Sequence, residues 1–570
     1  MALEWLLGAF EGRVHNPGMS PWSLYLPFLK WPRPDAALWR NELLAGVTVA
    51  LLMVPQSVAY AALAGMPLIT GLYAAVLPAL VGVMWGGSTR LSVGPTALTC
   101  LLISASLTGM AEPGSVLWVQ MAVWLAVLSG LLQLALGAGG YGWLLNLISS
   151  PVMTGFTQAA ALLIIASQLG ALLGLPQGIS GFFVGPEQGQ VDVSGLGYGV
   201  VSVLLLWAGK RWAPRWPLIM AVVLGAGLLS HVTQFAARGG DVIGLLPSGL
   251  PTLLWPHWPG YDTLSNLLVP AMVIALVSFL ETASSARTEN QRDGKRWQDN
   301  QDLIAQGLAK LVSAACGSFA TSASFSRSAV YLAAGARTAW AAVITAVLVG
   351  LSLLMADTLY DVPRAVLSAV VIAAVTNLLQ PKAFVKLWRI QRVEAVTAGV
   401  TFVITLLSAP RIYWGVLAGV VLGLSHFLHN HLHPRIIEVG LHPDGSLRDR
   451  HLWHLPPLAP HTYALRMDAE LDFAAASAFE RNLVEHVLAH PQLQHVVLLA
   501  QPINRIDVTG VEVFAQVRRQ LQQRGVVLHI SGIKLPVETA LKRAGELTPA
   551  ADLRLYRTDT EMLEAMKTLA

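Results

Sequence analysis

The chain has 570 residues, of which 54% are hydrophobic and only 12% charged, with a formal net charge of +4. A soluble protein of this length carries about 25% charged residues, so an ordinary soluble enzyme is excluded, and the small positive balance suits basic loops at an anionic leaflet better than nucleic-acid binding. Cys100 and Cys316 are the two cysteines, both inside apolar runs, which gives neither a disulfide framework nor metal-ligand spacing.

Residues 1–40 contain Glu4, Glu11, Arg13, Lys30, Arg33 and Asp35 with proline interruptions. They have no clean apolar core for a cleavable signal and read as a cytoplasmic or interfacial lead-in. From residue 41 to 435 apolar runs dominate, and a span needs roughly 20 such residues. Leu43–Gly65 and Val116–Gly137 qualify. The pattern predicts about fourteen membrane segments, centred near Val54, Leu77, Ala97, Leu125, Leu163, Leu204, Leu224, Ile274, Leu311, Val330, Leu348, Ile372, Phe402 and Val420.

Loops after even-numbered segments hold Arg90; Lys210, Arg211 and Arg215; Arg287, Arg292, Lys295 and Arg296; Arg337; and Lys382, Lys386, Arg389 and Arg392. Loops after odd segments hold only Arg238, Arg364 and Arg411. This asymmetry places both termini in the cytoplasm.

Two segments are interrupted. Gly94 and Pro95 head the short run of the third, and Gly317-Ser-Phe-Ala-Thr-Ser-Ala-Ser-Phe-Ser-Arg-Ser-Ala329 opens the tenth with polar residues. Each is third within a half of seven. Broken helices at matched positions of two halves point to a transporter binding site, because non-helical backbone at membrane depth must line an enclosed cavity. Helix N-termini exposed there offer free N–H groups and partial positive charge, which suits an anion.

Past the last span, His426, His429, His431 and His433 cluster, but no Cys or HExxH pattern accompanies them, and a partly solvated helix end is preferred to a metal site. Residues 436–460 are taken as a linker. Residues 461–570 alternate strands (Thr462–Met467, Val496–Ala500, Val526–Ile530) with helices (Ala474–Leu488, Gly510–Arg524, Pro536–Ala544), a small α/β domain. No Walker A motif or nucleotide-binding glycine loop is present, and no cofactor is expected.

The stretch Leu52-Met-Val-Pro-Gln-Ser-Val-Ala-Tyr-Ala-Ala-Leu-Ala-Gly-Met-Pro-Leu-Ile-Thr-Gly-Leu-Tyr73 resembles the signature of the sulfate permease (SulP) family. Ser92–Ala97, Glu281–Ala286, Ser324–Val330 and Gly335–Thr338 agree with it, and Ile506-Asp-Val-Thr-Gly510 resembles the family's STAS domain. The resemblance runs from about Trp31 to the end of the chain. It implies two inverted seven-segment repeats arranged as core and gate domains, half-helices meeting at the midplane, a homodimer and an elevator-like movement. The implied activity is secondary transport of a small oxyanion, sulfate with protons first, in a bacterial cytoplasmic membrane. Sodium-coupled bicarbonate transport, C4-dicarboxylate transport and an anion channel or exchanger remain alternatives.

Gln56 and Tyr60 share one face of the first segment; the resemblance makes them substrate contacts, while a helix–helix hydrogen bond or packing explains them equally in bare physical terms. Arg327 at membrane depth faces either a cavity or a partner. It grips an oxyanion through two parallel hydrogen bonds, with Ser326, Thr96 and Ala97 completing the site, or it is held by Glu281 or backbone carbonyls. Glu281 is the acid of the eighth segment; desolvation there disfavours its charged form, which suits proton coupling, and a structural ion pair is the alternative. In the tail, Asp507 and Thr509 enter the Gly510 helix: the resemblance makes the hydroxyl a phosphorylation candidate, and a plain N-cap is preferred.

Overall fold

In the computed structural model, residues 27–568 are described, apart from 33–34, 174–192, 213–216, 248, 254–255 and 549. Most of the 1–40 lead-in and Arg215 lie outside the described residues. The chain divides into two compact units, residues 1–423 and 424–570.

The first unit is helical. Its first half holds α1 (Ala36–Leu63), α2 (Leu68–Ala75), α3 (Leu77–Trp85), strand β1 (Val93–Gly94), α4 (Ala97–Leu107), α5 (Val116–Ala138), α6 (Ser150–Leu172), α7 (Val193–Trp212) and α8 (Leu218–Val232). The second holds α9 (Tyr261–Arg292), α10 (Asp299–Ala315), strand β2 (Ser322–Ala323), α11 (Phe325–Ala333), α12 (Trp340–Ser352), α13 (Arg364–Val375), α14 (Pro381–Ile390), α15 (Arg392–Leu407) and α16 (Tyr413–Leu432). Every expected segment centre falls on one of these helices or, for Leu77, at the start of α3, where the second segment breaks at Val76. Seven helical stretches among the described residues are long and apolar enough to cross a membrane, with shorter apolar helices between them.

Helix α1 begins inside the expected lead-in, because the Asp35 carboxylate caps it by accepting from Leu38 N at 2.7 Å. The segment between α13 and α15, expected as a basic loop, is the amphipathic helix α14.

The helices sort into two sets. In one, α1–α5 pack with α9–α12; in the other, α6–α8 pack with α13–α15. These are the core and gate that the family pattern implies. Close approach depends on small residues at chosen points. A Cβ on Gly71 of α2 would lie 2.0 Å from the Ser57 carbonyl oxygen of α1, so only glycine lets the two backbones meet there.

The second unit has a six-stranded sheet in the order β4-β3-β5-β6-β7-β8. The strands are β3 (Ile436–Leu441), β4 (Leu447–Asp449), β5 (Thr462–Met467), β6 (His495–Leu499), β7 (Val527–Ser531) and β8 (Leu553–Tyr556). Helices α17 (Ala476–Ala489), α18 (Val508–Gln523), α19 (Leu535–Arg543) and α20 (Asp559–Lys567) connect or follow the parallel strands β5–β8. The expected strands and helices are found within two residues of their predicted ends. Residues 436–460, expected as a linker, instead carry the β3–β4 hairpin, and β3 pairs antiparallel with β5. Val439 points into the core beneath it, and burial of such alternate side chains recruits the hairpin to the sheet.

Candidate anion site between two half-helices

Strands β1 and β2 pair antiparallel, Val93 with Ala323 and Gly94 with Ser322. Each is followed at once by a short helix, α4 after β1 and α11 after β2. The interrupted third and tenth segments therefore meet, as two oppositely directed halves require. Ser324 N donates to Ser92 O at 2.9 Å, and Ser92 N donates to Ser328 Oγ at 2.9 Å, closing the joint from both sides.

The first N–H groups of a helix have no intrahelical partner. In α4, Cys100 N is the first to reach back, to Thr96 O, and the Thr96 side chain caps none of the preceding groups. In α11 the Ser324 hydroxyl accepts from Arg327 N at a long 3.4 Å. The N–H groups of Ala97 and Leu98, and of Phe325 and Ser326, are thus left without intrahelical partners at the heads of two helices whose preceding strands pair, each with helix-dipole positive charge behind it.

Arg327 is 1% exposed. Its Nε donates to Ser92 Oγ at 3.1 Å, its Nη2 to Pro95 O at 2.9 Å and its Nη1 to Gln56 Oε1 at 3.4 Å. The guanidinium on α11 therefore staples the β1–α4 turn and touches α1. Of the two arrangements open in the sequence, this geometry has the carbonyl-held one, and the fork expected to grip an oxyanion already meets protein acceptors. Gln56 supplies one of those acceptors. Tyr60, one turn on, is 5% exposed, and its hydroxyl makes no hydrogen bond with any described residue. Ser326 is exposed, 3.3 Å from Ser324 Oγ. Ala97 is buried at the first position of α4.

Glu281 of α9 does not pair with Arg327. Its Oε2 lies 2.9 Å from the Thr96 hydroxyl and 3.3 Å from that of Thr99, so the carboxyl sits at the N-terminus of α4. The Thr96 side chain is thus engaged by Glu281.

Sequence reasoning passed over Lys310. It is fully buried in α10, donates to Gln133 Oε1 at 2.8 Å, and interacts electrostatically with Glu281. Gln133 in turn donates to Ala275 O at 2.7 Å and Ser278 Oγ at 3.1 Å, on the helix that carries Glu281. A lysine within an apolar run was the available signal. Glu42 was passed over as well: fully buried in α1, it accepts from Arg337 N, Thr338 N and Ala341 N, at 2.8, 3.0 and 3.0 Å, and so caps α12 from another helix.

In the second unit Asp507 is the N-cap of α18. Its Oδ1 accepts from Gly510 N at 2.8 Å and its Oδ2 from Phe473 N at 2.9 Å. Thr509 is exposed beside it. The histidines at the end of α16 meet other rings at a tilt, His429 with His433 at 4.4 Å and His431 with Phe427 at 4.1 Å.

Residues 39–401 match the model of the sulfate permease family, and residues 457–553 that of the STAS domain. The chain belongs to the sulfate permease family. It is similar to a probable sulfate transporter of Mycobacterium tuberculosis, 32% identical over 538 residues that cover 93% of this chain and 95% of that protein. It is also similar to the chloroplastic sulfate transporter 4.1 of Arabidopsis thaliana, 29% identical over 551 residues, covering 91% and 79% of the two chains. Among solved structures, the murine Slc26a9 anion transporter in the inward-facing state superposes with a TM-score of 0.85, at 20% identity over 99% of this chain and 98% of that one. The transmembrane domain of a cyanobacterial bicarbonate transporter gives 0.58 at 22% identity, over 68% of this chain and 98% of that one. At these identities the two structures establish the fold.

Proposed function

We propose that this sulfate permease family member is a secondary active transporter of a small oxyanion, sulfate first, driven by protons. The observation that supports the reading is the pair of half-helices joined through paired strands, with free N–H groups at both helix starts and a buried guanidinium bonded to the joint. Positive potential from two helix ends and one fixed cation favours a compact anion there. Arg327 contributes charge and holds the joint, Ser326 and the unbonded Tyr60 hydroxyl face the anion as donors, and Gln56 orients the guanidinium. The names of the relatives favour sulfate among the oxyanions.

Coupling follows from the position of Glu281. Its carboxyl shares the N-terminus of α4 with the anion. An ionised carboxylate there repels an incoming anion, and a proton on it removes that repulsion. Proton and anion then load together and leave together, which is symport. The same reading includes movement of the α1–α5/α9–α12 set against the other, a homodimer, and a cytoplasmic STAS domain on the inner side of a bacterial membrane, the side that collects Lys and Arg.

The test is uptake into proteoliposomes. A pH gradient, acid outside, drives sulfate accumulation by the wild type. Glu281→Gln loses gradient-driven accumulation and keeps sulfate–sulfate exchange. Accumulation that survives in Glu281→Gln removes the coupling role. Competition by bicarbonate, succinate, nitrate and chloride in the same assay decides the substrate, and bicarbonate or succinate outcompeting sulfate overturns the sulfate assignment.

A further inference from the structure

Helix α14 takes no part in the site, yet it is unusually organised. Lys382, Lys386 and Arg389 fall at i, i+4 and i+7 and form one stripe. Ala383, Phe384 and Leu387 lie on the opposite face and are half-buried, with the Phe384 ring edge-on to Phe402 of α15 at 5.8 Å. Flanking the stripe, Val385, Trp388 and Ile390 stand exposed at 53%, 56% and 68%. The helix contains no acid, and Arg392 follows it after Gln391.

The helix is also held in place. Gln158 of α6, 6% exposed, donates to Leu378 O at 3.2 Å and accepts from Gln380 N at 2.9 Å, which fixes the turn that enters α14. Lys210 near the end of α7 reaches Asn377 in the same turn. That contact brings Lys210 and Arg211, with the exposed Trp207 and Trp212, beside the start of α14.

We infer that α14 and the end of α7 form a binding site for the headgroups of anionic phospholipids, fastening the α6–α8/α13–α15 set to one leaflet. A helix with cations on one stripe and exposed Trp, Val and Ile beside it lies in the bilayer interface, the cations at headgroup depth and the apolar side chains at the acyl boundary. A soluble polyanion has no use for those three apolar side chains, whereas a lipid engages both features. Each cation near an anionic surface strengthens binding roughly fivefold, so the three of the stripe contribute on the order of a hundredfold.

The full chain in neutral detergent, mixed with phosphatidylcholine or with increasing phosphatidylglycerol, gives the measurement through its melting temperature. The wild type rises with phosphatidylglycerol and not with phosphatidylcholine. The triple variant Lys382→Gln, Lys386→Gln, Arg389→Gln melts as the wild type does in phosphatidylcholine, which shows it folded, and needs at least about tenfold more phosphatidylglycerol for the same rise. Trp388→Ala weakens the response with the charges intact. A triple variant that follows the wild-type curve overturns the site. A rise of the same size with inorganic phosphate overturns the lipid assignment in favour of a soluble anion.

Discussion

Replacing Arg327 by lysine and by alanine separates two things its guanidinium does. It holds the β1–α4 turn through Ser92 Oγ at 3.1 Å and Pro95 O at 2.9 Å, with a longer reach of 3.4 Å to Gln56. It also places one positive charge behind the helix ends. A hydrogen bond from a charged donor is worth about 1.5–3 kcal/mol, so losing the two shorter bonds costs about 3–6 kcal/mol, less what is regained by no longer burying the charge. Lysine lacks the planar fork and satisfies one acceptor at a time, so Arg327→Lys forfeits about half of that. The charge is a separate matter. At an effective dielectric near 20, a unit charge contributes about 4 kcal/mol at 4 Å and about 2 kcal/mol at twice that distance. Arg327→Ala is therefore expected to weaken sulfate binding by roughly 30-fold to 1000-fold, whereas Arg327→Lys keeps affinity within about tenfold while losing stability. Melting temperature and sulfate affinity of the detergent-purified chain read the two effects apart. If Arg327→Lys melts like the wild type, or if Arg327→Ala binds sulfate within about threefold of it, the staple or the field has been misassigned.

Gly71→Ala drives a methyl group into the Ser57 carbonyl oxygen 2.0 Å away, so α2 has to move off α1; an overpacking loss of about 1–3 kcal/mol and a raised KM for sulfate are expected, and an unchanged melting temperature counts against the packing. Glu42→Gln leaves one acceptor oxygen where three N–H donors now meet two, turns an NH2 donor toward the remaining N–H, and removes the negative charge at the N-terminus of α12; a loss of about 1–3 kcal/mol is expected, and it shows as a lower melting temperature. In the STAS domain, His529 is buried between His495 Nδ1 at 3.1 Å and the Tyr556 hydroxyl at 3.0 Å, and burial, with His495 and Arg554 nearby, pushes its pKa down to about 4. The unfolded chain binds this proton nearer pH 6.5. The domain is then fully stabilised by this group above pH 6.5 and loses that contribution as pH falls toward 4. Hydrogen exchange of the β6 and β7 amides, corrected for intrinsic rates, should accelerate over that window in the full chain; exchange that stays flat refutes the burial argument.

The segment centres were legible because span-length apolar runs have few alternatives. The half-helices were legible because Gly94, Pro95 and a serine-rich stretch interrupt such runs at matched places. What the sequence hid is mostly partnership across long separations. Arg327 reaches Ser92 and Pro95, which lie more than 200 positions away, and nothing local selects them over Glu281. Glu42 stands at the start of an apolar run, with nothing local to mark it, and its three partners sit almost 300 residues on. Two misses were local and avoidable. The cations of α14 repeat at helical spacing and were counted only as loop charges. Ile436-Ile-Glu-Val-Gly-Leu441 alternates as a strand and Asp444-Gly445 follows it as a turn, so the hairpin within the expected linker carries a local signal.

The distribution of buried polar contacts bears on how such a protein moves. Glu42 ties α1 to α12, and Arg327 ties α11 to α1 and the β1–α4 turn. Lys310 and Gln133 tie α10, α5 and α9 together. Near the start of β1, Arg90 pairs with Glu289 at 3.2 Å and Asp293 at 2.7 Å, and Asp302 accepts from Ser88 Oγ and Trp297 Nε1, both at 2.7 Å. All of these lie within the α1–α5/α9–α12 set. Gln158 with the α13–α14 turn, Ser368 with Gln168 at 3.1 Å, and Lys210 with Asn377 lie within the other set. Where the sets meet, α1 runs against α8 and α13, and α4 against α6. The buried apolar cluster that spans these helices includes Val58, Ile103, Phe156, Val223, Val366 and Val370. Buried hydrogen bonds are directional and costly to leave unmade, whereas apolar contact is non-directional. Under the proposed movement, sliding one set along the other would exchange apolar neighbours without stranding a buried donor, and would leave the staple at Arg327 and the Glu281 carboxyl fixed relative to the helix ends. The proposed site and the proposed coupling group would then travel as one body, which is what symport by such a movement requires.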